Sequence, residues 1–163
     1  MRKTGLLLAG ALAVSSALAD TANLSDLAEC KLDWNKAKAA LADLRVTNEE
    51  DLSGDDVGIW IETHYDVSAL GPAGLTPTDF KHEVLGANHY LVATLSVSYA
   101  EVRAKILAAY GRTACSREFG SSGKHQCYVV ERPKFGRLPG VLLDEKKAST
   151  EIQCSYSKVG KIG

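Results

Sequence analysis

The placement of four cysteines constrains this chain more than any other feature. Cys30, Cys115, Cys127 and Cys154 are the only thiols in 163 residues, and all four follow an N-terminal stretch with the marks of an export leader. Arg2 and Lys3 precede an apolar run, Gly5 to Val14, and small residues ending Ala17-Leu18-Ala19. A charged start, an apolar segment too short to span a bilayer and an A-x-A site form the pattern of a cleaved secretory signal over residues 1–19. Cleavage leaves residues 20–163, enough for a single α+β domain with one core. The expected location is periplasmic or secreted, not membrane-spanning after cleavage. An even cysteine count in an oxidising compartment implies two disulfides. No C-x-x-C pair is present, which removes support for a thioredoxin-type site or a zinc ribbon.

The stretch from Ser98 to Val130 carries the clearest local signals. Ser98-Tyr99-Ala100-Glu101 has the spacing of a capping box. Val102, Ile106, Leu107 and Tyr110 then fall on one side of a helix, and Gly111 is placed to end it. Cys115 and Cys127 bracket a loop, Ser116 to Gln126, and Cys127 to Val130 reads as a strand.

Upstream, Leu27, Cys30, Trp34, Ala37, Leu41 and Leu44 form one apolar stripe, so Asn23 to Leu44 is expected to be a helix with Asn23 or Ser25 as cap. Val46 to Asp56 is polar and reads as a connection. Val57, Ile59, Ile61, Thr63, Tyr65 and Val67 alternate with Gly58, Trp60, Glu62, His64 and Asp66, a strand with one side in the core. Ala69 to Asp79 carries glycines and prolines and reads as a loop. His89 to Val97 is a second strand. Past Val130, Val141 to Leu143 and Thr150 to Tyr156 read as a hairpin turning at Asp144 to Ala148, with Thr150, Ile152, Cys154 and Tyr156 on one side.

These elements give the order αββαβββ: an antiparallel sheet of about five strands with two main helices packed on it. Cys30 and Cys154 both sit on core-facing positions, and Cys115 and Cys127 flank one loop. The expected pairs are therefore Cys30–Cys154 and Cys115–Cys127. The element order is similar to that of small exported inhibitors and outer-membrane assembly factors, and to cystatin- and NTF2-like domains, with no shared motif.

The charge is unevenly placed. Asp20 to Ala100 holds 14 acidic and 5 basic residues, whereas Glu101 to Gly163 holds 6 and 12. A basic group around Arg112, Arg117, Lys124, Arg132, Lys134 and Arg137 could steer an acidic partner. Nucleic acid is not an expected partner, because the domain is not basic overall and lacks interleaved aromatics.

Candidate chemistry is sparse. Glu62, His64 and Asp66 share the outer side of their strand, with Trp60, and could form a carboxylate–imidazole cluster beside a pocket that includes Tyr90. His82 and His89 fit no metal spacing, and no cofactor motif, G-x-S-x-G elbow or phosphate loop occurs. The cysteine-bounded loop presents Arg117, Phe119, Lys124 and His125 with its ends held, which lowers the ordering cost of binding. The leading expectation is an exported, non-enzymatic protein-binding domain of inhibitor or immunity type, contacting another exported or envelope protein through that loop. The alternative is a cavity-bearing ligand-binding domain or acid–base enzyme using His64.

Overall fold

The structure is a computed structural model that describes residues 24–66, 71–121, 124–131 and 139–157. Residues 1–19, read from the sequence as a leader, and Asn23, Val67, Ser122, Gly123, Arg132, Lys134 and Arg137 lie outside the described residues.

Three helices and eight strands are described, in place of two and about five. The helices are α1 (24–28), α2 (Trp34–Ala42) and α3 (Tyr99–Ala109). The strands are β1 (Val46–Asp51), β2 (Trp60–Tyr65), β3 (Asp79–Leu85), β4 (Asn88–Leu95), β5 (Arg117–Ser121), β6 (Lys124–Val130), β7 (Gly140–Glu145) and β8 (Thr150–Ser157). All pairings are antiparallel, in the order β1-β2-β3-β4-β8-β7-β6-β5. Each half is helical at its start, α1 and α2 in the first and α3 in the second, followed by a four-strand meander, and the halves join where Asn88–Leu95 pairs with Thr150–Ser157 along its whole length. The likeness to αββαβββ domains rested on an order this topology replaces.

Each departure from expectation has a local cause. The long first helix is broken after α1, where Cys30 adopts φ 60°. Asp33 restarts it as N-cap of α2, its carboxylate accepting from the Lys36 N–H at 3.1 Å. The apolar stripe survives the break: Leu27, Cys30, Ala37 and Leu41 are all buried. β1 lacked any alternation because it is an edge strand exposed along its entire length. β3 was missed because its core-side positions are Phe80, His82 and Val84, a weak apolar pattern. Val57 and Ile59, expected in the core, are each 57% exposed in the β1–β2 turn. Within the stretch read as a loop, Arg117–Ser121 pairs with Lys124–Val130, so β5 was missed and β6 starts three residues before the strand read from Cys127; Gly120 and Ser121 disguised β5.

The remaining elements match. Ser98 caps α3, its hydroxyl accepting from the Glu101 N–H, and Gly111 follows the helix at φ 64°. Val102, Ile106 and Leu107 are buried against the sheet. Thr150, Ile152, Cys154 and Tyr156 all face the core. Thr150 is fully buried, and its hydroxyl donates to the Val97 carbonyl at 3.0 Å, which removes the cost of an unpaired polar group.

Two disulfides are present, Cys30–Cys154 and Cys115–Cys127. The first ties the α1–α2 corner to the middle of β8. The same corner is latched by Glu29, whose buried carboxylate accepts from the Ala73 N–H at 2.7 Å and pairs with Lys31. Burial alone would push this carboxyl up, but the bonds from Lys31 and Ala73 hold it below the usual range.

Candidate functional site

All three helices pack on one face of the sheet, and strand alternation sends every second side chain to the other face. Cross-strand register places these outward residues in rows. One row runs His64, Lys81, Val92, Gln153, Leu142, Tyr128 and Arg117 from β2 to β5. The next runs Glu62, Glu83, Tyr90, Ser155 and Gly140. The helix-free face therefore has a charged half, β1–β3, and an aromatic half from β4 to β5.

In the charged half His64 hydrogen-bonds Asp79, Nδ1 to Oδ1 3.0 Å, and lies 3.7 Å from Glu62. Lys81 bridges Glu62 at 3.2 Å and Glu83 at 2.5 Å. Burial would lower the Lys81 ammonium, but Glu83 and Glu62 hold it above the ordinary lysine value. The expected trio is thus half assembled. Glu62 and His64 meet, whereas Asp66 lies beside Arg45 at 3.8 Å and Asp79 takes its place. Asp79 comes from another strand, so spacing within β2 could not reveal it. An imidazole oriented by a carboxylate has the geometry of a positioned base.

The aromatic half is arranged around Arg117. Its guanidinium carbon lies 4.7 Å from the ring centres of both Phe119 and Tyr128, and those rings meet edge-on at 6.0 Å. Glu131 lies 3.6 Å from Arg117 Nε. Phe119 remains 46% exposed. Beside this group is an open depression of about 420 Å³. Ser155 and Gly140 are its low floor, because neither fills the space above its strand. Tyr90 and Tyr128 wall it, and Leu142 and Gln153 line it. Tyr90 is the only member of the proposed Trp60–His64 pocket that lines it.

The hairpin does not present its four predicted residues together. Arg117, Phe119 and Lys124 occupy the open face. His125 points to the other side, stacked on Tyr99 at 5.7 Å, while its backbone N–H donates to Glu145 at 3.0 Å. Glu118, also on that side, takes two bonds of 3.1 Å from Arg103 and so braces β5 against α3.

No family model matches this chain, and neither curated proteins nor solved structures give a match.

His82 and His89 lie on the core side. His82 Nε2 is 3.0 Å from His89 Nδ1, and Trp34 stacks on His89 at 4.2 Å. Burial, then the His89 charge, pushes the His82 imidazole down to about 4. Among the described residues no cluster of three His, Cys, Asp or Glu side chains is arranged to hold a metal, and no helix is long and apolar enough to cross a membrane. Tyr128, Leu142, Gln153 and Ser155 were missed as site residues. Gln153 and Ser155 were legible as the off-core positions of the last strand.

Proposed function

We propose that the chain is an exported, non-enzymatic protein-binding domain of inhibitor or immunity type that binds another exported or envelope protein through the open face of its sheet. The observation that carries this is the Arg117–Phe119–Tyr128 cluster beside the Tyr90–Tyr128 depression. Aromatic residues and arginine dominate binding hot spots, and such anchors cluster around desolvated pockets. Here a part-exposed phenylalanine and an arginine are held in a strand pair rather than a flexible loop. Cys115–Cys127 pins that pair, so little order remains to be imposed on binding. The leader pattern and the two disulfides support export.

The test uses the full mature chain as bait and calorimetry on the purified partner. Phe119→Ala and Tyr128→Ala should each weaken binding about 30-fold, the effect of losing a hot spot of about 2 kcal/mol. Ala108→Lys, on the solvent side of α3, should change nothing. Unchanged affinity in both face variants rejects this surface.

A small-ligand or acid–base role on the same face is favoured by one observation, the depression itself. It requires saturable uptake of a small aromatic molecule, abolished by Ser155→Leu, which fills the floor.

A further inference from the structure

The β1–β2 turn carries an exposed apolar group that the aromatic cluster does not account for. Five large apolar side chains are exposed among the described residues, and Leu52, Val57 and Ile59 are three of them, at 40%, 57% and 57%. They lie within eight residues on one hairpin tip. Burying such side chains against a partner is favourable by about 25 cal/mol per Å² of apolar surface, whereas leaving them in water gains the monomer nothing.

The tip is held in shape without a core beneath it. Leu52 N–H donates to the Trp60 carbonyl at 2.8 Å, and Trp60 N–H donates to Ser53 Oγ at 2.9 Å. Gly58 closes the turn, its N–H donating to the Gly54 carbonyl at 2.8 Å from φ 74°, a left-handed conformation suited to glycine. Gly86 N–H donates to the Ile59 carbonyl at 2.9 Å, which ties the base of the tip to the β3–β4 turn. A preorganised projection loses little entropy on insertion.

Its charge has one sign. From Val46 to Phe80 the chain has eight carboxylates and no Lys or Arg. Asp51, Asp55 and Asp56 flank the apolar group and are exposed. A complementary surface is an apolar cleft with a cationic rim.

The tip also lies at the end of the sheet nearest the depression. β2 begins at Trp60, opposite Leu85, and the row starting two residues on, at Glu62, leads to Tyr90, Ser155 and Gly140. Five strand steps of about 4.8 Å, about 24 Å across the sheet, separate β2, which continues from the tip, from β6, which carries Tyr128, a span within one partner's footprint.

We propose that the β1–β2 tip is a second contact element, inserting Leu52, Val57 and Ile59 into an apolar cleft rimmed by lysine and arginine on the same partner protein, a proposal that rests on the open-face reading above. The test places a benzophenone photocrosslinker singly at positions 57, 59, 119 and, as control, 104 on α3 in the full mature chain, exposed to the exported proteins of the source organism. Positions 57 and 59 should label the protein labelled from 119, at a segment rich in Lys and Arg. With that protein purified, Leu52→Ser/Val57→Ser/Ile59→Ser should weaken binding tenfold or more. Asp55→Asn/Asp56→Asn should flatten its dependence on salt between 50 and 500 mM. Circular dichroism checks that each variant is folded. Labelling from 119 alone overturns the tip and leaves the open face standing, labelling from the tip alone overturns the open face and with it the shared partner proposed here, and no labelling rejects both. A labelled segment without basic residues, or an unchanged affinity in the triple variant, also overturns the tip.

Discussion

Opening Cys30–Cys154 should cost the fold more than opening Cys115–Cys127. The two bridges differ chiefly in the length of chain they close, with sequence separations of 124 and 12. The loop-entropy relation gives about 4.9 kcal/mol for the long loop and about 2.9 kcal/mol for the short one, a difference of about 2 kcal/mol. Packing does not reverse the order, since Cys30, Cys154 and Cys127 are all buried and Cys→Ala removes a similar volume from each. Total stability in domains of this size is about 5–15 kcal/mol, so losing the long bridge removes a large share of it. The perturbation is Cys30→Ala/Cys154→Ala against Cys115→Ala/Cys127→Ala. Urea unfolding at pH 7, followed by the fluorescence of Trp34 and Trp60, gives both stabilities under one protocol. Equal losses, or a larger loss from the short bridge, would refute the reasoning that unfolded-chain freedom sets the cost.

Three further outcomes follow from the structure. His82 titrates near 4 when folded and near 6.5 when unfolded, a depressed value, so its contribution is complete above pH 6.5 and is lost as pH falls toward 4. Discounted for its partial exposure, the loss between pH 7 and pH 5 should be about 1–2 kcal/mol, and urea midpoints of wild type and His82→Gln should differ in slope over that window. Ser98→Ala removes the cap of α3 and should cost about 1 kcal/mol, read in the same urea assay, with Ser98→Asp recovering most of it. On the open face, Arg117→Ala should weaken partner binding with Phe119→Ala while leaving the unfolding free energy within about 0.5 kcal/mol of wild type, the ordinary range for surface substitutions.

Legibility in the sequence followed burial. Where one side of an element meets the core, composition alternates and the element could be found: the Ser98 helix, β4, and β8 with its buried Thr150, Ile152, Cys154 and Tyr156. Where an element has two wet sides or polar core positions, the pattern vanishes. β1 is exposed throughout, β5 carries Gly120 and Ser121, and β3 places His82 inward. The site divided in the same way. Arg117 and Phe119 could be singled out as an arginine and an aromatic between two cysteines, whereas Asp79 joined His64 only through pairing with a strand that the sequence concealed.

What the residues alone determined was local and one-dimensional: a leader-like start, one capped helix, an apolar stripe read as a single helix, and the inward placement of Cys30 and Cys154, whereas Cys127, buried as fully as either, was read only as the end of a loop. Those depend on contacts a few residues apart, or on solvent lying to one side. Strand order, the seam where β4 meets β8, and the gathering of Tyr90, Tyr128, Ser155 and Arg117 on one surface required the folded sheet. Cross-strand neighbours are chosen by register between segments far apart in the chain, and register minimises the energy of the whole sheet rather than of any one strand.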